Sequence, residues 1–223
     1  MDLPVFSFSE EIKKLELPVA LGVGLFEVDV TDSSEAEIID IARRIGAIQN
    51  KLTLERIHDL PAIAATRKAY KALGKDPSRY RPSAEALLRR VVQGKGLYRV
   101  NNVVDALNLV SITSGYSIGG YDAEKINGAV TLGRGQADEP YEAIGRGALN
   151  IEGLPVLRDD TGTFGSPTSD SQRTMVTEAT EYFLAVFFDF SGHPPLLQAA
   201  MDDLQSLLEN HANAYCEARE IVK

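Results

Sequence analysis

The sequence is poor in the residues that build disulfide frameworks, zinc sites and membrane helices. It has one cysteine, Cys216, which excludes an internal disulfide and a cysteine-based zinc site. Its longest strongly apolar run, residues 183–188, is far shorter than the ~20 residues that a transmembrane helix needs. The N-terminal segment carries an acid at Asp2 and lacks the apolar stretch of a secretory signal. We therefore expect a soluble, cytoplasmic protein.

Metal ligands and phosphate loops are equally scarce. The three histidines, His58, His193 and His211, are far apart and show no H-x-x-x-H spacing. The two G-R-G tripeptides, at residues 133–135 and 145–147, lack the spacing and the following Lys-Ser/Thr of a P-loop. We expect no metal ion and no cofactor.

The overall composition is that of a folded globular protein. The chain has 223 residues, of which 44% are hydrophobic and 25% are charged, so it can bury a sizeable core in one large domain or two small ones. The sequence contains no internal repeat and no linker rich in proline and serine. Predicted helices come first, then strands, then a helix, and this order favours a single α+β domain.

Hydrophobic periodicity predicts the longer elements. Residues 19–30 are apolar on both faces and indicate a buried strand, and residues 180–190, which are rich in Phe and Val, indicate another strand. Between residues 115 and 165, short alternating runs separated by glycine predict sheet and turns. Apolar stripes at helical spacing predict helices over residues 34–48, 61–74, 83–92, 101–114 and 194–211.

Positive charge is concentrated in one segment. Residues 67–99 contain ten bases and only two acids, Asp76 and Glu85, an excess of eight positive charges. Because the whole chain has a net charge of −9, the remainder carries −17. Two interpretations stay open, namely solvated helix faces, or a contact with a polyphosphate such as a nucleic acid.

A pentapeptide at residues 115–119 fits the G-x-S-x-G pattern of serine hydrolases, with Ser117 as the nucleophile and His193 downstream. That pattern needs a strand before the serine and a helix after it, because the strained turn exposes the hydroxyl. Here a helix is predicted before Ser117 and a turn after it. We therefore expect a glycine-rich turn rather than a nucleophile.

The most unusual stretch is residues 161–176, in which seven serines and threonines surround Asp170 and Arg173. Short hydroxyl and carboxylate side chains can bind the nearby backbone and form tight loops. Alternatively, they form a polar pocket wall that receives amine and hydroxyl groups of a small ligand. Just upstream, Asn150 and Glu152 lie beside a predicted glycine turn. Local spacing does not choose between these interpretations.

Four of these stretches, residues 71–83, 101–122, 150–160 and 164–176, together resemble freestanding members of the B3/B4 domain family. This family is named after the editing and tRNA-binding module of the phenylalanyl-tRNA synthetase beta subunit. The resemblance to the freestanding proteins covers nearly the whole chain, and that to the synthetase module covers roughly residues 99–190. It implies a mixed, largely antiparallel sheet flanked by helices in one domain, residues 1–223. Its parts are an N-terminal strand and helices (1–65), a core (66–190) and a C-terminal helix (191–223).

The synthetase module hydrolyses tyrosine that is wrongly esterified to phenylalanine tRNA. Its G-Q-P-x-H-A-F-D stretch falls on residues 115–122, which puts Gly119 at the position of the histidine. Its M-G-G-x-x-S stretch falls on residues 166–171, with Asp170 at the position of the glutamate and Ser171 retained. The histidine is therefore absent and the acid is one methylene shorter. The motifs of the aminoacylation domain are also absent, so we do not expect the chain to charge tRNA.

The resemblance implies two alternatives. The chain is either a deacylase that hydrolyses mischarged aminoacyl-tRNA in trans, or a non-catalytic module for tRNA, an amino acid or a related small ligand. The partner is then the aminoacyl 3′ end of tRNA or a small amino-acid-like ligand, with no membrane. The catalytic candidates are Asp170, Ser171 and Thr168. The candidates for substrate binding are Asn102, Asn108, Gly119, Asn150, Glu152 and Ser169. The candidates for RNA binding are Lys71, Lys75, Arg79, Arg81, Arg89, Arg90 and Arg99, with Tyr80 or Tyr98 as stacking groups.

Overall fold

Six α-helices and ten β-strands make up the computed structural model, which describes residues 1–223. The helices are α1 (Glu10–Lys13), α2 (Glu35–Gln49), α3 (Pro61–Ala72), α4 (Ser83–Val92), α5 (Asn102–Ser114) and α6 (Pro194–His211). The strands are β1 (Phe6–Phe8), β2 (Ala20–Glu27), β3 (Ser117–Asp122), β4 (Val130–Arg134), β5 (Glu142–Ala143), β6 (Gly147–Ala148), β7 (Pro155–Asp159), β8 (Gly162–Gly165), β9 (Tyr182–Asp189) and β10 (Tyr215–Val222). None of the helices combines the length and hydropathy needed to cross a lipid bilayer.

Two four-stranded sheets organise the fold. The first has the order β10-β2-β9-β3 and is antiparallel throughout. The second has the order β1-β4-β7-β8, with β1 and β4 parallel and the other pairs antiparallel. Strands β5 and β6 form a separate hairpin. The expected α+β class, with mixed and largely antiparallel sheets flanked by helices, is confirmed.

Strand β9 lies between two hydrophobic cores because its side chains are buried on both faces. One set of its side chains packs with the helices, and the alternate set packs with the second sheet. The chain therefore has three layers, which are helices, the first sheet and the second sheet. The helix-facing residues are Phe183, Ala185 and Phe187, and the sheet-facing residues are Leu184, Val186 and Phe188.

The predicted helices α2 to α6 are confirmed. The hydroxyl of Ser34 accepts a hydrogen bond from the Glu37 backbone N–H (3.2 Å) and caps α2. Pro61 is the first residue of α3, and Gly74 follows that helix with a φ of +89°.

Four short or polar elements differ from the sequence prediction. Strand β1 and helix α1 were not predicted, and β10 follows the single helix expected at the C-terminus. The turn expected over residues 115–119 is wrong beyond Gly115, since Ser117 begins strand β3. Gly115 does form a turn, with a φ of +81°, because it ends α5 in the left-handed conformation.

Helices α3 and α4 lie directly against residues 166–171. The Ser83 backbone N–H donates to the carbonyl of Pro167 (2.8 Å), and the Ala84 N–H donates to the hydroxyl of Ser117 (3.4 Å). The hydroxyl of Tyr70, which lies on α3, is 2.8 Å from the hydroxyl of Thr168. The most basic part of the chain therefore adjoins its most hydroxyl-rich loop.

Candidate functional site

Asp170 binds a neighbouring strand. Its carboxylate accepts hydrogen bonds from the hydroxyl of Tyr121 (2.7 Å) and from the Gly120 backbone N–H (3.3 Å), both on β3. Strand β3 is an edge of the first sheet, so its outer N–H groups are free to bind a side chain. Asp170 thus ties residues 166–171 to the edge of the first sheet.

Burial changes the acidity of this pair. Asp170 is half-buried, and desolvation raises its pKa to about 7, while the hydrogen bonds from Tyr121 and from the backbone of Gly120 and Ser166 offset part of that effect. Burial, and then the neighbouring Asp170, raise the pKa of Tyr121 well above its usual value. Near neutral pH, Asp170 therefore populates both protonation states, while Tyr121 remains a hydrogen-bond donor.

Two glycines leave room for the Tyr121 ring. A Cβ at Gly119 or at Gly165 would overlap the Tyr121 hydroxyl. The edge of Phe164 meets the same ring at a centroid distance of 5.0 Å. The phenol of Tyr121 therefore fills the space at the position that the resemblance aligns with a histidine.

The hydroxyl-rich loop satisfies much of its own backbone. The Ser166 hydroxyl donates to the carbonyl of Ser169 (3.0 Å) and accepts from the N–H groups of Thr168 and Ser169 (3.2 Å each). The Ser171 hydroxyl accepts from the Arg173 N–H (3.2 Å). The tight-loop interpretation thus describes these serines, whereas the Asp170 side chain also binds β3.

Three tyrosines surround this loop, and spacing in the sequence gives no signal for their contacts. Besides Tyr70 and Tyr121, Tyr141 donates from its hydroxyl to the carbonyl of Ser169 (2.7 Å). Burial, followed by the charge of Asp170, raises the pKa of Tyr141 above its usual value. The candidates Thr168, Ser169, Asp170 and Ser171 therefore lie together in a wall of phenol and hydroxyl groups.

Asn150 and Lys75 bind each other. The Lys75 ammonium donates to the carbonyl of Asn150 (2.9 Å) and lies 3.7 Å from the centroid of the Tyr80 ring. The Asn150 side-chain oxygen accepts from the Glu152 N–H (2.9 Å), while Glu152 itself is exposed. Lys75 is only 7% exposed, so most of its binding capacity is used inside the protein.

Asn102 lies apart from this group. Its side chain donates to the carbonyls of Asp29 (2.8 Å) and His211 (3.0 Å) and accepts from the Thr31 N–H (3.0 Å). It lines a separate cavity of about 390 Å³, which Asp170 and Asn150 do not line. Asn108 is half-buried further along α5. The structure therefore does not bring Asn102 together with Asp170 and Asn150.

Several cations of the basic segment converge on Glu85. Its carboxylate is 2.8 Å from Arg67, 2.9 Å from Arg89 and 3.4 Å from Arg81. The Glu85 side chain is only 1% exposed, whereas that of Arg81 is 43% exposed. One negative charge thus faces three guanidinium groups, and two positive charges remain uncompensated.

The other RNA-binding candidates have different surroundings. Arg99 pairs with the buried Asp105 at 2.9 Å. The guanidinium of Arg90 lies 3.9 Å from the Tyr98 ring centroid, and that of Arg79 lies 5.7 Å from the Tyr80 ring centroid. Lys71 is exposed, and no ion pair includes it.

Glu37 is a further buried acid, and it lies on α2. It is 1% exposed, and neither oxygen of its carboxylate has a hydrogen-bond partner, while the nearby Ser33 hydroxyl donates to Asp105 (2.7 Å). Burial and the nearby Asp105 raise the pKa of Glu37 to about 7, against the opposing charge of Arg99.

No group of three or more His, Cys, Asp and Glu side chains could hold a metal ion.

We expect stability to fall as pH rises from about 5 to 7. The folded-state pKa values of Glu37 and Asp170 are raised, so each contributes stability at low pH that is lost when the folded carboxyl ionises. Glu37→Gln and Asp170→Asn each remove one of these carboxyls. Between pH 5 and pH 7, the free energy of unfolding of each variant should therefore fall by about 2 kcal/mol less than that of the wild type. Urea unfolding at the two pH values measures this difference. If a variant loses as much stability between pH 5 and pH 7 as the wild type does, the raised pKa of that carboxyl in the folded state is contradicted.

Comparison with known proteins identifies the family. No curated protein matches the sequence. Among solved structures, the chain is similar to an N-terminal fragment of the phenylalanyl-tRNA synthetase beta-subunit from Pyrococcus horikoshii. The two share 14% identity with a TM-score of 0.44, over 86% of this chain and 75% of that chain. A family model described as the B3/4 domain matches residues 65–213. Because this match spans more than half of the sequence, the chain belongs to the B3/4 domain family.

Proposed function

We propose that this chain is a tRNA-binding module, and that its RNA-binding surface is formed by α3, α4 and the loops that follow them. The observation that carries the proposal is the cluster of Arg67, Arg81 and Arg89 around Glu85. Guanidinium groups bind phosphate through paired N–H donors, and Glu85 already holds these three in place. The cluster therefore presents two uncompensated charges with little remaining freedom to lose.

The position of this surface fits a ligand with a reactive or charged end. The first turn of α4 binds Pro167, and α3 binds Thr168. A strand held by the arginines would thus end beside residues 166–171. The strong negative charge of the remaining chain would repel RNA elsewhere and confine the contact to this surface. Since tRNA is the proposed ligand, the cytoplasm remains the proposed compartment.

Binding of uncharged tRNA tests the proposal. The Arg81→Ala/Arg89→Ala variant keeps the Arg67–Glu85 ion pair and removes two phosphate contacts. Each such contact changes the logarithm of the binding constant by about 0.7 for a tenfold change in salt concentration. The variant should therefore bind about 20-fold more weakly at ~0.1 M salt. Fluorescence anisotropy measures the affinity.

The matched control is Lys13→Ala/Arg43→Ala, which removes two exposed cations outside the basic segment. We expect this control to bind like the wild type. Equal affinities for all three proteins would exclude the arginine cluster as the RNA contact.

Deacylation of a mischarged tRNA is a second candidate, and the chemistry of Asp170 favours it. A carboxyl whose pKa is about 7 can accept a proton from water at neutral pH. An aminoacyl ester is already activated, so its hydrolysis needs mainly a positioned water and a donor to the developing oxyanion. Tyr121 would be the positioning residue, because its hydroxyl holds Asp170 in place. The alternative is a non-catalytic module for tRNA or an amino-acid-like ligand.

Hydrolysis of a panel of mischarged tRNAs distinguishes these two functions. A deacylase should release amino acid, and Asp170→Asn should slow that release by about 100-fold or more. Tyr121→Phe should shift the pH–rate profile, since it removes the hydrogen bond to Asp170. Binding of tRNA without any ester loss would favour the non-catalytic module. Equal rates for wild type and Asp170→Asn would remove Asp170 from the mechanism.

A further inference from the structure

Tyr98 is an exposed aromatic residue in the basic segment. It lies between α4 and α5, where the chain has no regular secondary structure, and 59% of it is exposed. The Arg90 guanidinium, on the last turn of α4, covers one face of its ring at 3.9 Å from the centroid. The exposed area of Tyr98 therefore belongs to its other face and its edges.

Arg90 has no other partner that explains its position. It forms no ion pair, and its Nε is buried without a hydrogen-bond acceptor. Its stacking on Tyr98 is thus the contact that fixes both side chains. The sequence neighbours Lys95, Arg99 and Val100 are also exposed, and Arg99 pairs with Asp105.

The other predicted stacking residue, Tyr80, is already covered. Its ring is half-buried, with the Lys75 ammonium 3.7 Å from the centroid and the Arg79 guanidinium 5.7 Å from it. Tyr98 is therefore the aromatic residue of the basic segment that has a free face for a ligand.

We infer that Tyr98 is a stacking platform for one unpaired nucleobase, with Lys95 and Arg99 beside it to bind the adjoining phosphates. Every nucleobase presents a flat face, and aromatic side chains in single-strand sites bind that face. The bases of a duplex already stack on one another, so a duplex cannot use this platform. The inference rests on the proposed function and refines it, because it identifies the recognised element as single-stranded RNA.

The probes are a fluorescein-labelled RNA 12-mer that ends in CCA and the same strand annealed to its complement. We expect Tyr98→Ala to weaken binding of the single strand about tenfold and to change duplex binding less than about twofold. Tyr98→Phe should bind both probes like the wild type. Tyr215→Ala is the matched control, since Tyr215 is 66% exposed on β10, outside the basic segment.

A spectroscopic measurement separates stacking from a structural role of Tyr98. The chain has no tryptophan, so a Tyr98→Trp variant carries a single indole reporter. Its fluorescence should be quenched by the single strand and not by the duplex. If wild type binds neither tRNA nor either probe, the proposed function and this inference both fail. If wild type binds tRNA but neither probe, only the inference fails. If wild type binds tRNA but Tyr98→Ala affects both probes equally or neither of them, only the inference is overturned.

Discussion

Replacement of Glu85 by alanine is expected to lower the free energy of unfolding by about 3–5 kcal/mol. Its carboxylate is 1% exposed and contacts Arg67, Arg81 and Arg89. Without Glu85, the partly buried guanidinium groups would face one another with no opposing charge. Urea unfolding at neutral pH measures the loss.

The matched control for this prediction is Glu10→Ala. Glu10 is also ion-paired, at 3.0 Å from Lys13, but its side chain is 73% exposed. Water screens such a surface pair, so its removal should cost less than about 1 kcal/mol. If Glu85→Ala costs no more than Glu10→Ala, Glu85 does not organise the arginine cluster.

Gly119→Ala is expected to destabilise the protein by about 3 kcal/mol, although it adds a single methyl group. The new Cβ would overlap the hydroxyl and the ring of Tyr121. That ring is fully buried and cannot move aside, because Asp170 binds its hydroxyl and Phe164 packs against it. Thermal or urea unfolding measures the effect.

A double-mutant cycle shows whether the cause is the overlap with Tyr121. Tyr121→Ala destabilises the protein by itself, but the added methyl should then fit, so the two changes together should cost less than their sum by at least about 1 kcal/mol. Gly46→Ala is the control, since nothing lies within 4 Å of its added Cβ and its place on α2 favours alanine. Additive costs would contradict the close packing of Gly119 on Tyr121.

The same contact leaves no room for a larger side chain at position 119. A side chain there and the Tyr121 hydroxyl would occupy one volume. The acid at position 170 therefore binds a phenol of its own chain.

The sequence predicts the long elements well because their apolar periodicity is strong. Helices α4 and α6 begin and end at the predicted residues, and β9 is apolar on both faces. Strand β10 was missed, since its sequence mixes charged and apolar residues and its pairing with β2 joins opposite ends of the chain. Strand β1 has only three residues, too few for a periodic signal.

The candidate site could be predicted only in part. The hydroxyl-rich composition and the family resemblance both identify Asp170. Its partner Tyr121 is 49 residues away in the sequence, and the contact depends on how the loop meets the edge of β3. Spacing likewise relates Glu85 to Arg81 and Arg89, one turn before and after it, but not to Arg67 on another helix.

Ultraviolet cross-linking of the wild-type protein to tRNA, followed by mapping of the attached peptides, tests the RNA-binding surface most directly. We expect the cross-linked peptides to lie within residues 67–99, with Tyr98 among the attachment points. Cross-links confined to the acidic remainder of the chain, or none at all under conditions that cross-link a known tRNA-binding protein, would contradict it.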